Sequence, residues 1–313
     1  MKPRIFLDGS VGTTGLRIRE FLERRRDVVI TTLTEPERKD SAARRAAVRA
    51  ANVAVLCLPD DAAREAAAWA EDTAVRLLDA STAHRIAEGW IYGLPELAPG
   101  QRDAIRGAKR VSNPGCYPTA FLLLVRPLLD AGLLAPDAPL TLHALSGYSG
   151  GGKPLIGKWE DPSNGLLELP YEAPYTLGAR HKHIPEMLCW SGLTTEPQFV
   201  PAVGPFRCGM RVEVPLPAAL LRGGADAKAL WEALHGRYDS EPYVRVLPLT
   251  DAAALHERSF DPRACNDTNR IDLHVVPNAA GHVLLIAILD NLGKGAAGAA
   301  VQNLELMLGL EPA

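Results

Sequence analysis

The stretch "RIFLDGSVGTTGLRI", residues 4–18, constrains the fold more than any other. A short apolar run ends at glycine, Gly9, Gly12 and Gly15 follow at three-residue spacing, and a charged, helix-patterned segment comes next. Strand, glycine turn and helix in that order open a dinucleotide-binding α/β unit. Glycine lets the chain turn sharply and lets a pyrophosphate approach the backbone. The helix N-terminus beyond it offers N–H groups and a partial positive charge. Gly9, Ser10, Gly12, Thr13, Thr14 and Gly15 are therefore the expected pyrophosphate cradle, the hydroxyls adding donors. In the helix, Leu16, Phe21 and Leu22 take core-facing spacing.

The alternation continues. "DVVITTL", "VAVLCLP" and "VRLLDAS" read as strands, with "DSAARRAAVRAA" and "DAAREAAAWAED" as helices between them. Strand and helix alternating at this spacing predict a doubly wound parallel sheet, a Rossmann-like NAD(P)-binding domain. After Cys116 the texture changes. "LTLHALSG", "QFVPAVGPF", "GMRVEVPL", "YVRVLPL", "RIDLHVVP" and "HVLLIAILDN" are strand-like, interrupted by the helical "GADAKALWEALHGRY". An α+β domain on a mostly antiparallel sheet is expected there. The closing "GKGAAGAAVQNLELMLGL" reads as a helix that returns to the first domain. The expected division is 1–115 with 294–313 for dinucleotide binding, and 116–293 for catalysis and oligomerisation.

Composition narrows the function class. The chain has 313 residues and net charge −3, so no basic surface points to nucleic acid. No apolar run reaches the roughly 18 residues of a membrane span, and "MKPRIFLDGS" lacks a signal-peptide layout. Five cysteines without C-x-x-C spacing argue against a disulfide or metal framework and for a reducing, cytoplasmic setting. The cofactor's identity turns on the end of the second strand. Glu35 lies where an NAD site carries its acidic residue, but Thr34, Arg38 and Lys39 offer a hydroxyl and two cations to a 2′-phosphate. The balance leans to NADP, with Arg38 as the binding residue.

"VSNPGCYPTA" places Cys116 at a Pro-Gly corner before the helical "FLLLVRPLLDAG". A helix N-terminus favours the thiolate, which is the nucleophilic form. Pro118 suits a first helical turn. A buried, inert thiol is the competing reading, and Cys57 and Cys189 are expected to be such thiols. A nucleophile needs an acid/base partner. "GARHKHIPEM" supplies His181, His183 and Glu186, with both histidines on one side of the segment and Lys182 on the other. A surface pair or an incomplete metal site is the alternative. "LSGYSGGGK" carries Ser146, Gly147, Ser149 and Lys153, and its glycines could form an anion-binding nest or a flexible loop.

These segments together resemble the N-acetyl-γ-glutamyl-phosphate reductases in their shorter form, members of the aspartate-semialdehyde dehydrogenase superfamily. The resemblance rests on "GSVGTTG", "CLPDDAA", "DASTAHR", "SNPGCYPTA", "LSGYSGGGK", "HKHIPE", "GMRVEVPL", "NDTNRIDL" and "LDNLGKGAAGAAVQNLELMLG", and spans nearly the whole chain. It implies NADPH-dependent reduction of N-acetyl-γ-glutamyl phosphate to the 5-semialdehyde in arginine biosynthesis, by a homo-oligomer (dimer or tetramer). Cys116 would attack the acyl phosphate to form a thioester. His183 would protonate the oxyanion as the thiolate departs, and His181 and Glu186 would orient the site or bind substrate. Leu58, Pro59 and Ser81 would line the cofactor cleft, Ser146 and Gly147 would add to it, and Asn291 and Gly293 would sit near the nicotinamide. No metal is implied. Arg207 and Cys208 depart from the family pattern, so either Arg207 or Arg211 could meet substrate, with Asn266 and Asn269 as further candidates. The alternatives are a sister reductase acting on aspartyl phosphate or a carrier-linked lysine precursor, and a non-catalytic NADP-binding partner of the preceding kinase.

Overall fold

Short apolar strands build the first sheet. In the computed structural model, which describes residues 2–312, these are β1 (Arg4–Asp8), β2 (Val29–Thr31), β3 (Val53–Leu56), β4 (Arg76–Asp79), β5 (Ile91–Tyr92) and β6 (Arg110–Ser112). They lie in the order β2-β1-β3-β4-β6-β5, all parallel. The helices are α1 (Thr13–Glu23), α2 (Ser41–Arg49), α3 (Asp60–Ala68) and α4 (Gln101–Gly107). The expected Rossmann-like sheet is observed. Strand order reverses between β1 and β3, the switch point at which such sheets bind ligands. Asp8, Leu56, Asp79 and Ser112 stand in one row at the C-terminal edge.

The chain divides into two units, Met1–Gly115 with Ala296–Ala313, and Cys116–Gly295. The last helix, α9 (Gly298–Leu308), belongs to the first. Its Ala300, Val301, Leu304 and Met307 share a core with Ile5, Leu7, Ile18 and Leu22. One expectation fails in α1. Leu16 is exposed, because the buried face runs through Gly15, Ile18 and Leu22.

The second unit carries β7 (Thr141–Gly147), β8 (Ala173–Pro174), β9 (Gln198–Gly204), β10 (Met210–Leu216), β11 (Val244–Val246), β12 (Ile271–Pro277) and β13 (Val283–Leu289). Their order is β11-β12-β13-β10-β7-β9-β8. The sheet is mixed but mostly antiparallel, with β7–β9 and β11–β12 parallel. Helix α5 (Cys116–Asp130) packs on β10 and β13, flanked by α7 (Ile184–Ser191) and α8 (Ala227–Tyr238). Pro127 lies inside α5 and cannot donate to the Leu123 carbonyl. The buried Tyr238 hydroxyl donates to that carbonyl instead, at 2.9 Å, so the proline leaves no orphaned acceptor. Helices α6 (Gly152–Glu160) and α7 fall where no helix was expected.

Candidate active site

The glycine loop is shaped by contact. Gly9 has φ +82°, and a Cβ there would lie 2.1 Å from the Cys57 carbonyl oxygen. A Cβ on Gly15 would lie 2.4 Å from the Gly9 carbonyl. Gly12 has room for a side chain on the protein side, 3.5 Å from its nearest neighbour, so its lack of one serves whatever approaches from outside. Gly12 is also the N-cap of α1 and provides no side-chain cap, and the first turn holds no acidic residue. The Thr13 Oγ1 is buried without a hydrogen-bond partner. Uncapped N–H groups beside an orphaned hydroxyl fit an anionic pyrophosphate. Ser10 is buried and Thr14 half-buried in the same loop. Below it, Arg44 pairs with the buried Asp8 carboxylate at 3.0 Å and lies over Trp69, which neutralises the charge at the loop's base.

Leu58, Pro59 and Ser81 follow β3 and β4 at that edge. The Ser81 hydroxyl is committed, donating to Asp79 Oδ2 at 2.7 Å and accepting from the Ala83 N–H. Asp79 also holds His84 Nδ1 at 2.6 Å, and His84 stacks on Trp90. Beyond β2, the Thr34 hydroxyl and N–H both donate to Glu37, which holds that carboxyl below its usual range. Lys39 lies 3.8 Å from Glu35. Arg38 is half-buried and makes no ion pair among the described residues.

In the second unit Cys116 is the first residue of α5 and is half-buried. The helix N-terminus places partial positive charge at its sulfur, which stabilises the thiolate. The other thiols differ. Burial pushes Cys57 up to about 12 and Cys265 up to about 11. Cys189 is exposed rather than buried, because α7 turns Ile184, Glu186, Met187 and Ser191 inward.

The histidines gather around Tyr117. Its ring centroid lies 5.8 Å from that of His181, 5.7 Å from that of His183 and 4.9 Å from that of Phe199. The two imidazoles are 4.8 Å apart, and Lys182 is exposed. His183 is buried at the N-cap of α7, and Glu186 is buried in that helix's first turn. Burial, with Lys182 adding to it, depresses His181 to about 4, so its imidazole is neutral at physiological pH. In the unfolded chain the same group titrates near 6.5. Between those values the unfolded chain binds the proton and the folded chain does not, so stability falls as pH drops from about 6.5 to about 4. Thermal midpoints across that window should fall more steeply for the wild type than for His181→Gln.

The glycine nest is mostly built into the fold. The N–H groups of Gly147, Tyr148 and Ser149 donate to the Gly209, Phe206 and Arg207 carbonyls, and Gly152 opens α6 with Lys153 exposed. Ser146, the last residue but one of β7, is buried and donates to the Gly147 carbonyl. Asn291 accepts from the Gly209 N–H at 2.8 Å and donates to Ser149 at 2.9 Å, so its amide ties two loops together. A Cβ on Gly293 would lie 2.2 Å from the Thr268 carbonyl. Arg207 pairs with Glu160. Arg211 pairs with Glu213 on the face of β10 opposite the buried Met210 and Val212, away from α5. Asn266 donates to the Cys208 carbonyl, while Asn266 Oδ1 and Asn269 Oδ1 are buried without partners. Tyr117 and Tyr175 were not among the expected site residues, since an aromatic beside a helix start reads as core.

Two semialdehyde dehydrogenase families match: the dimerisation domain over residues 116–291 and the NAD binding domain over residues 35–107. The N-acetyl-gamma-glutamyl-phosphate reductase of Burkholderia orbicola is 49% identical over 308 residues, 98% of this chain and 97% of the relative. N-acetyl-gamma-glutamyl-phosphate reductase 2 of Nostoc sp. is 47% identical over 315 residues, 99% of this chain and 98% of the relative. The crystal structure of aspartate semialdehyde dehydrogenase II from Vibrio cholerae, complexed with ASA, superposes with TM-score 0.73. It is 17% identical and covers 99% of both chains, a likeness of fold.

Proposed function

The chain belongs to the N-acetyl-γ-glutamyl-phosphate reductase family of the semialdehyde dehydrogenases, and from that premise we propose that it reduces N-acetyl-γ-glutamyl phosphate to N-acetylglutamate 5-semialdehyde with NADPH, through a thioester on Cys116, in arginine biosynthesis. The observation that carries this reading is a thiol at the N-terminus of α5, followed by Tyr117, whose ring touches two histidines.

The Cys116 thiolate attacks the acyl carbon, the C–S bond forms and the C–O bond to phosphate breaks. NADPH, when bound, supplies the hydride that reduces the thioester carbonyl. The N–H groups at the start of α5 stabilise the oxygen that gains charge. His183 protonates that oxygen and takes the proton back as the C–S bond breaks, which frees the aldehyde and restores the thiolate. The neutral His181 orients, and Glu186 orients or binds substrate. Residues 9–15 hold the pyrophosphate and Arg38 the 2′-phosphate. The same reading carries a homo-oligomer and a cytoplasmic setting, in keeping with five free cysteines.

The test is aldehyde oxidation by the purified protein, with N-acetylglutamate 5-semialdehyde, phosphate and either NADP or NAD. Turnover that needs phosphate and prefers NADP is expected, with aspartate semialdehyde a poor substrate. Arg38→Ala should raise the KM for NADP by about tenfold or more and leave that for NAD unchanged. Faster turnover of aspartate semialdehyde would move the protein to the sister activity.

A further inference from the structure

Three hydroxyl and imidazole groups of the second unit, those of His181, Tyr175 and Tyr117, form a chain in which every donor points the same way. The His183 N–H donates to His181 Nδ1 at 3.2 Å. A neutral His181 whose Nδ1 accepts must carry its proton on Nε2. Nε2 lies 3.5 Å from the Tyr175 hydroxyl, which donates onward to the Tyr117 hydroxyl at 3.0 Å. The chain thus starts from a main-chain donor, the His183 N–H, that cannot reverse it. Tyr117 is buried, follows Cys116 directly in sequence and ends the chain.

We infer that Tyr117 is a positioning residue for the acid/base histidines: its hydroxyl accepts from Tyr175 and so ends a one-way chain that runs from the His183 N–H through His181 and Tyr175, which holds the His181 ring as the Nε2–H tautomer and fixes the segment carrying His183. This rests on the proposed role of Cys116 and His183. The ring contacts alone would place the histidines loosely, whereas the hydroxyl chain sets the ring's rotation as well as its distance. Burial of Tyr117 and Tyr175 raises both phenols, Tyr175 to about 12, so both remain donors throughout the working pH range. Tyr175 follows the short strand β8 and precedes Thr176, which has φ +56°, an uncommon conformation for threonine.

Tyr117→Phe keeps the ring and removes the hydroxyl. With 15N-labelled histidine, the wild-type His181 ring should show a protonated Nε2 and an unprotonated Nδ1. In Tyr117→Phe that signature should become a tautomer mixture. The kcat for the aldehyde should fall between about ten- and a hundredfold, with both KM values within about twofold. Tyr175→Phe, at a half-buried ring, should behave alike and serves if Tyr117→Phe fails to fold. The double variant should be no worse than the poorer single one, because both break one chain. A folded Tyr117→Phe protein, or Tyr175→Phe in its place, that keeps either wild-type kcat or the wild-type tautomer overturns the inference. A wild-type protein inactive on the aldehyde overturns the proposed function instead, and the tautomer signature still decides the chain.

Discussion

Cys116→Ser should abolish phosphate-dependent oxidation of N-acetylglutamate 5-semialdehyde, lowering kcat by on the order of a thousandfold or more. The substitution changes one atom at the first residue of α5 and removes no disulfide. Folding and NADP binding should therefore survive. What is lost is a sulfur that a helix N-terminus can hold as an anion, since a serine hydroxyl lies far too high for the same field to ionise it. Three of the other four cysteines are held as thiols. Cys57 and Cys265 are pushed up by burial, the exposed Cys189 is raised by partial desolvation on the flank of α7, and Cys208 lies 3.4 Å from the Ser149 hydroxyl. Alkylation near neutral pH should accordingly mark Cys116 first. Turnover by the serine variant within tenfold of wild type would remove the thioester from the mechanism.

Gly295→Ala should lower kcat by about a hundredfold while NADP still binds. A Cβ on Gly295 would lie 2.7 Å from the Cβ of Cys116, 3.3 Å from its Cα and 3.2 Å from the Asp290 carbonyl. Contact under 3.0 Å cannot persist, and the atoms it meets belong to the nucleophile and its backbone. The surroundings are rigid. The Gly293 and Gly295 N–H groups both donate to the Asp290 carbonyl, and the Asp290 carboxylate accepts from Asp267 and Leu292. The displacement therefore falls on Cys116. Overpacking of this kind also costs about 1–3 kcal/mol, so the melting midpoint should drop by a few degrees. The diagnostic is a loss of kcat and of Cys116 alkylation rate together. A variant with wild-type kcat would mean that the turn yields and the thiol's placement does not depend on this contact.

The local features were legible because they depend on neighbours in sequence. Gly9 needs a positive φ after a strand, and Cys116 follows a Pro-Gly corner before an apolar helix, so spacing alone exposes both. Features set by distant partners were not legible. Leu16 reads as core by its spacing, but the helix phase is fixed by Ile18 and Leu22 against the sheet. Cys189 reads as buried within "MLCWSG" until α7 forms and turns it outward. Spacing leaves Arg207 and Arg211 as alternatives and does not show that Arg211 pairs with Glu213 and Arg207 with Glu160. The amide of Asn291 joins Gly209 to Ser149, partners that its place in the sequence does not reveal. The partnership of Tyr117 with Tyr175 spans 58 residues and follows no periodicity.

The central claim is a covalent acyl group on Cys116. It is tested most directly by mixing the protein with N-acetyl-γ-glutamyl phosphate in the absence of NADPH, then mapping the modified peptide by mass spectrometry. The account predicts one N-acetylglutamyl group on the peptide that contains Cys116, released by hydroxylamine and absent from Cys116→Ser. An unmodified Cys116 in a protein that turns over the same substrate once NADPH is added would contradict it.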